Sequence, residues 1–173
     1  MTEAVYRRPD KVIVYLYLRV ASSEEVEYLL LQRAPASHAG SIWQTVVGGA
    51  NWDEGLVEAA RREVYEETGL TQLHGLTAIG FAFSFSLSLP EHQASLYAPG
   101  INEIRNTVFA AGVLSRQPIA LSREHVEYGW FSYQEAVSLI HWPEEREALF
   151  LEWLRVSVGR ADALEREYYE RKG

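Results

Sequence analysis

The sequence predicts an α/β domain, on three observations. Runs such as VIVYLYLRV (12–20) and GFAFSFSLSL (80–89) carry strand patterning, a helical acidic stretch follows the Gly48-Gly49 pair, and further helical stretches begin near residue 133. The chain has 173 residues, 47% of them hydrophobic, which suits one core rather than two. Residues 1–158 are read as a single domain and residues 159–173 as a charged C-terminal helix or tail.

Each element has a local reason. Residues 12–20 place apolar side chains on both parities, as a central strand covered on both faces requires. ASSEE is a polar turn, VEYLLLQR returns as the second arm of a hairpin ending at Gln32 and Arg33, and PASHAGS is a loop. IWQTVV forms a short strand that runs into Gly48 and Gly49. Asp53 then caps a helix from about Glu54 to Thr68, since its carboxylate can accept from orphan N–H groups, and Gly69 stops that helix in the left-handed conformation. In GFAFSFSLSL, Phe81, Phe83, Phe85, Leu87 and Leu89 share one face, which predicts a strand with one buried side. PEHQASLYAPGINE is a long polar loop, IRNTVFAAGVL a strand, and SREHVEYGWFS a short strand leading into helices at Tyr133–Ile140 and Pro143–Val156. GRADALEREYYERKG is read as a solvated helix or frayed tail, with a homodimer contact as the alternative.

Composition excludes several functions. The net charge is -8 and no basic run exceeds two residues, so the footprint of a nucleic-acid binder is missing. The chain has no cysteine, which removes disulfide scaffolds, thiolate metal sites and cysteine nucleophiles. No apolar run approaches the ~20 residues needed to span a bilayer, and the first residues lack a signal-peptide core. The expectation is a soluble, cytoplasmic protein that binds neither membrane nor nucleic acid.

The acidic helix needs an explanation, because like charges repel. Glu63, Glu66 and Glu67 fall within an arc of roughly 100°, since spacings of three and four are neighbours on a helix. Leu56, Ala59 and Ala60 lie on the same stripe, with Val57 and Val64 just beside it, so the acids border the packed side. Arg62 stands one turn from Glu58 and Glu66, where a guanidinium can orient a carboxylate. A solvated helix laced with ion pairs is one reading. Clustered carboxylates also become favourable around a hard divalent cation, and Mg²⁺ prefers oxygen ligands while retaining waters. Such an ion can bridge phosphate oxygens and lower the pKa of a bound water, which reconciles an acidic protein with an anionic substrate.

Gly48, five residues, Glu54, seven residues, then Arg62-Glu63-Val64-Tyr65-Glu66-Glu67-Thr68-Gly69-Leu70 resembles the complete Nudix box. Seven fixed residues, each used at about one position in fifteen, agree by chance at a given start about once in 10⁸. The strand order is similar to the Nudix fold, an α/β/α sandwich with a mixed β-sheet between helices. The resemblance implies a hydrolase cleaving the pyrophosphate bond of a nucleoside diphosphate linked to another group, with Mg²⁺ or Mn²⁺. By position it makes Glu63, Glu66 and Glu67 metal-binding carboxylates, gives Arg62 an orienting role beside catalytic Glu63, and leaves Glu54 as support. Val47, which offers its carbonyl to metal, stands where many members have glycine.

Outside the box, Glu124-His125 is similar to an EH pair preceding a Tyr-x-Trp strand, which marks Glu124 as a further metal ligand or the general base and His125 as structural. YRRP, LQR, IWQTVVGG, YAPG, RNTVF and EHVEYGWF are together similar to the bacterial dihydroneopterin triphosphate diphosphatases of that family. The substrate expected is a nucleotide or pterin triphosphate, with Trp43 stacking on its ring, Gln44 bonding the ring edge, Gly48 and Gly49 forming the turn, and Arg33 and Arg105 holding phosphates. Trp52 and Asp53 stand where related enzymes often have an acidic residue and a glycine. That departure keeps ADP-ribose or another nucleoside-diphosphate derivative open as the alternative, with a non-catalytic nucleotide sensor behind it.

Overall fold

Apolar residues on both parities demand cover on both faces, and the first strand finds it at the centre of the sheet. The computed structural model describes residues 6–20, 25–35, 41–86 and 95–170, with side chains described as far as residue 159. Among these residues the elements are β1 (Asp10–Arg19), β2 (Val26–Arg33), β3 (Trp43–Gln44), β4 (Val46–Gly49), α1 (Leu56–Thr68), β5 (His74–Ser86), β6 (Glu103–Val113), β7 (His125–Ser132), α2 (Tyr133–Leu139) and α3 (Pro143–Glu170). The strand order is β3-β2-β1-β6-β5, with β4 on β1 and β7 on β2. β1 and β6 are parallel and the other pairs antiparallel, so the sheet is mixed.

Val12, Val14 and Leu16 pack with Ala59, Ala60 and Val64 of α1, while Ile13 and Tyr15 pack with Ala136, Ile140, Ala148 and Leu149 of the α2–α3 side. Helices therefore cover both faces, the α/β/α sandwich that the box implied. Each fully buried aliphatic side chain contributes about 1.5–3 kcal/mol, enough to seat α1 firmly although its other side is acidic.

The sheet forks where the site will lie. β1 and β2 pair only over Tyr17–Arg19 and Val26–Tyr28. Past that point β4 takes the edge of β1, and β3 takes the edge of β2. Thr45 joins the two short strands and donates its hydroxyl to the Val14 carbonyl at 2.5 Å, which fixes the turn between them. The fork brings Gly48 and Gly49 beside Val12 and Lys11.

Several boundaries differ from expectation. Asp53 does not cap α1: the helix starts at Leu56 behind an extended Gly55, with no side-chain cap. The preceding turn is closed instead by Glu54, whose carboxylate accepts from the Asn51 N–H at 2.7 Å. Gly69 does stop the helix in the left-handed conformation (φ 73°), its N–H donating to Tyr65 at 2.8 Å. Val57 is exposed rather than packed. IWQTVV is two strands, not one. β5 begins at His74, and Phe81, Phe83 and Phe85 are only half-buried, because this strand is at the sheet edge. Leu87 and Leu89, the first part of the loop after them, the turn at 21–24 and the loop at 36–40 lie outside the described residues. α3 passes Val156 and Gly159 without a break.

A buried polar layer joins α3 to β1. The Tyr15 hydroxyl donates to the Glu145 carbonyl at 2.6 Å, and the Glu145 carboxyl is buried with Oε2 unpartnered. Burial, then the charge of Glu144, pushes its pKa up to about 7. A carboxyl raised above its unfolded value, about 4.3, stabilises the fold fully below that pH, and the stabilisation is lost as pH rises through 7. Glu145→Gln is therefore expected to flatten the fall in stability between pH 5 and pH 8, and to raise the denaturant midpoint at pH 8. Parallel curves for the two proteins across that range would contradict this.

Candidate active site

The site is built where β4 hands over to α1. Arg62, in the second turn of the helix, reaches across the glycine turn and makes five hydrogen bonds. Nε and Nη2 fork onto Glu54 at 3.0 and 2.5 Å, Nη1 reaches Glu63 at 2.7 Å and Glu66 at 3.1 Å, and Nη2 donates to the Gly49 carbonyl at 2.8 Å. The guanidinium hydrogen bond holds Glu54 below the ordinary carboxylate range. Glu54, Glu63 and Glu66 are thus held by one cation. Gly48 is required by the same arrangement: a Cβ there would lie 1.8 Å from the Glu63 carboxyl carbon.

Glu67 is the exception. It is 6% exposed, one carboxylate oxygen has no partner, and the other side of its balance is a bond from the Val47 N–H. Burial, then the charge of Glu63, pushes its pKa up to about 8. Burial also raises Glu63, against the pull of Arg62.

These carboxylates line a cavity of about 580 Å³ that basic side chains line as well. Arg7, Arg8, Lys11 and Arg33 all face it, with Tyr6, Trp52 and Tyr97. Burial, followed by the neighbouring charges of Arg33 and Arg7, holds Lys11 below the ordinary lysine value. The N-terminal wall is strapped in place. Arg8 donates to the Asn51 and Glu54 carbonyls at 3.2 and 2.9 Å and to Asp10 at 2.6 Å, and the Arg7 N–H donates to Leu96 at 2.8 Å.

Most of the residues singled out from sequence meet here. Arg33, Gln44, Val47, Gly48, Gly49, Arg62, Glu63, Glu66, Glu67 and Glu124 line the one cavity. Glu124 is exposed at the cavity, with its carboxylate 4.0 Å from Arg33. Gln44 donates to His125 Nε2 at 3.3 Å, leaving the imidazole Nδ1–H for Ser122 at 3.2 Å. Burial lowers the His125 pKa, so it serves as a neutral brace. Two candidates lie elsewhere. Trp43 packs edge-on against Phe131 (centroids 5.1 Å apart, 79°) in the α2–α3 core. Arg105 is exposed on β6, outside the cavity lining, because its neighbours Ile104 and Asn106 take the buried parity.

Sequence reasoning missed Tyr6, Arg7, Arg8, Lys11 and Tyr97 as cavity residues. The available signal was charge: three of the chain's 16 basic side chains fall between residues 7 and 11 of a protein with net charge -8.

A hard divalent cation fits this donor set. The available oxygens are carboxylates, and the buried Glu67 Oε2 has no hydrogen-bond partner. Among the described residues no group of three or more acidic or histidine side chains already stands close enough to hold a metal ion, so the carboxylates would have to draw together around one. Mg²⁺ does not demand a closed cage, since it keeps several waters and takes one or two carboxylates.

Gly48→Ala must displace the Glu63 carboxylate from Arg62, at an expected cost of about 1–3 kcal/mol. For a chain of this size that is roughly 2–12 °C in thermal midpoint. In a Glu63→Ala background the same substitution should cost almost nothing. An equal loss in both backgrounds would show that Glu63 is not what excludes a side chain at position 48.

Comparison with known proteins agrees with the site. The chain is 27% identical over 150 residues to the dihydroneopterin triphosphate diphosphatase of Escherichia coli (strain K12), covering 86% of this chain and 95% of that one. It is 27% identical over 145 residues to the Haemophilus influenzae enzyme of the same name, covering 83% and 87%. The solved structure of the E. coli dihydroneopterin triphosphate pyrophosphohydrolase superposes with a TM-score of 0.66 at 28% identity, over 84% of this chain and 94% of that one. The NUDIX domain matches residues 7–154. Members of that family generally use divalent metals such as Mg²⁺ and act on small-molecule nucleotide substrates. The chain belongs to the NUDIX domain family and is a hydrolase acting on phosphoric anhydride bonds.

Proposed function

We propose that the protein is a Mg²⁺-dependent pyrophosphohydrolase that releases inorganic pyrophosphate from a nucleotide-like triphosphate, a pterin or purine compound. One observation carries the reading: a single cavity sets an Arg62-tied carboxylate floor against a rim of Arg7, Arg8, Lys11 and Arg33. An acidic floor alone repels a polyphosphate, and a basic rim alone binds it without activating water. The two together suit a diphosphate clamped between cations on both sides. The names of the E. coli and H. influenzae relatives support the pterin triphosphate as the first substrate to test.

Glu63, Glu66, Glu67 and the Val47 carbonyl would hold the ion, and when bound it neutralises phosphate charge and makes a coordinated water more acidic. The rest of the work falls to side chains. Arg33, Lys11 and Arg7 bind the phosphate oxygens and keep the chain in line with the carboxylates. Arg62 fixes the rotamers of Glu63 and Glu66, so that little reorganisation remains during the reaction. Glu124, exposed at the cavity, accepts the proton of the attacking water. The water oxygen forms the new P–O bond as the bridging P–O bond breaks, and the products are a monophosphate and pyrophosphate.

The products formed from dihydroneopterin triphosphate, the deoxynucleoside triphosphates, diadenosine polyphosphates and ADP-ribose should be separated by chromatography, with inorganic pyrophosphate measured alongside. Turnover of a triphosphate to its monophosphate, abolished by chelation and restored by Mg²⁺, is the expected result. No turnover of any compound in Mg²⁺ or Mn²⁺ would defeat the reading. Cleavage of ADP-ribose to two monophosphates, with the triphosphates untouched, would move the assignment to nucleoside-diphosphate derivatives.

A further inference from the structure

The aromatic residue expected to stack on the substrate, Trp43, is partly buried, packs on Phe131 and is not among the residues lining the cavity. The cavity nevertheless has an indole of its own. Trp52 lies in the turn between the Gly48-Gly49 pair and α1, lines the cavity, and is 64% exposed, the second most exposed large hydrophobic residue described, after Leu114. An exposed indole is ordinarily free to rotate. This one is fixed, because its Nε1–H donates to the Tyr6 carbonyl at 2.6 Å. Tyr6 itself is held in the segment strapped by Arg8 to the Asn51 and Glu54 carbonyls, and by the Arg7 N–H to Leu96. Both ends of the contact are therefore anchored. Among the described residues no aromatic ring packs on the Trp52 indole, although seven other ring pairs are formed, including Trp43–Phe131 and Tyr133–Trp153.

We infer that Trp52 is the binding platform on which the planar heterocycle of the substrate stacks, while the basic side chains and carboxylates of the cavity hold its phosphates. A rigid, solvated π-face loses little conformational entropy on binding, and its single polar atom is already satisfied. Stacking of this kind tolerates different ring systems, because every base presents a π-face, so purine and pterin fall in the same chemical class. Trp52 is three residues from Gly49, whose carbonyl accepts from Arg62, so the indole and the carboxylate cluster are attached to one turn. Tyr6 and Tyr97 line the same cavity.

This inference rests on the reading that the substrate is a ring-bearing triphosphate, and its test separates the two. Wild type, Trp52→Ala and Trp52→Phe are compared for pyrophosphate release from dihydroneopterin triphosphate and from dGTP. In parallel, dissociation constants for dGTP and for ring-free tripolyphosphate are measured by calorimetry, with Ca²⁺ as the hard cation. Trp52→Ala is expected to raise KM and the dGTP dissociation constant roughly tenfold to a hundredfold. The kcat should stay within about threefold, and tripolyphosphate binding should not change. Trp52→Phe should recover most of the loss, since it restores a ring without the Nε1–H bond. Unchanged dGTP binding in Trp52→Ala, or an equal loss for dGTP and tripolyphosphate, would overturn the stacking role whether or not the triphosphates are hydrolysed. Failure of wild type to release pyrophosphate would overturn the hydrolytic reading alone, since the calorimetric comparison does not depend on turnover.

Discussion

One guanidinium organises the site. At an effective dielectric of about 20, two carboxylates ~5 Å apart repel by about 3 kcal/mol. A hydrogen bond to a charged group contributes about 1.5–3 kcal/mol. Arg62 makes five bonds, four of them to carboxylates, so Glu54, Glu63 and Glu66 can share one face of a loop and helix around a single cation. Glu67, outside that set, shows what happens without such help: burial and its neighbour Glu63 keep its proton on up to about pH 8. The contrast separates two means of holding acid in a fold, one that neutralises it internally and one that leaves it waiting for a cation from outside.

The rest of the architecture serves this interaction. The fork between β1 and β2 admits β3 and β4, and β4 delivers a glycine pair to the spot over which Glu63 lies. Burial of Ala59, Ala60 and Val64 against β1 fixes the axial position of α1, and with it the reach of Arg62. Arg8, from a segment over forty residues earlier, ties the turn from the outside. The acid on the floor and the base on the rim come from different parts of the chain, and only the sheet brings them together. The protein's negative charge is therefore no obstacle to an anionic ligand, because what the ligand meets is local.

Legibility in the sequence followed the range of each interaction. The glycine, glutamate and arginine spacing was readable because the Arg62 network spans only Gly49 to Glu66, so its geometry is written in consecutive turns. The double-sided burial of β1 and the stop at Gly69 were readable for the same local reason. Asp53 misled because capping propensity is a weak preference, and Glu54 with Arg62 had a stronger use for the turn. Trp43 and Arg105 misled because residue type does not say which face of a strand reaches a distant cavity. Tyr6, Arg7 and Tyr97 stood in stretches that the resemblance singled out, but neither they nor Lys11 could be assigned to one cavity, since their proximity is a product of sheet closure rather than of any spacing.

The central claim is that the Arg62 fork, and not positive charge alone, arranges the carboxylates for catalysis. Its most direct test is kcat/KM for pyrophosphate release by Arg62→Lys, measured across a Mg²⁺ titration on the triphosphate that wild type turns over fastest. Lysine keeps the charge but cannot bond Glu54, Glu63, Glu66 and Gly49 together. The expected result is a loss of about 10²-fold that saturating Mg²⁺ does not restore, in a protein that still melts cooperatively. Turnover within threefold of wild type at saturating Mg²⁺ would contradict the account.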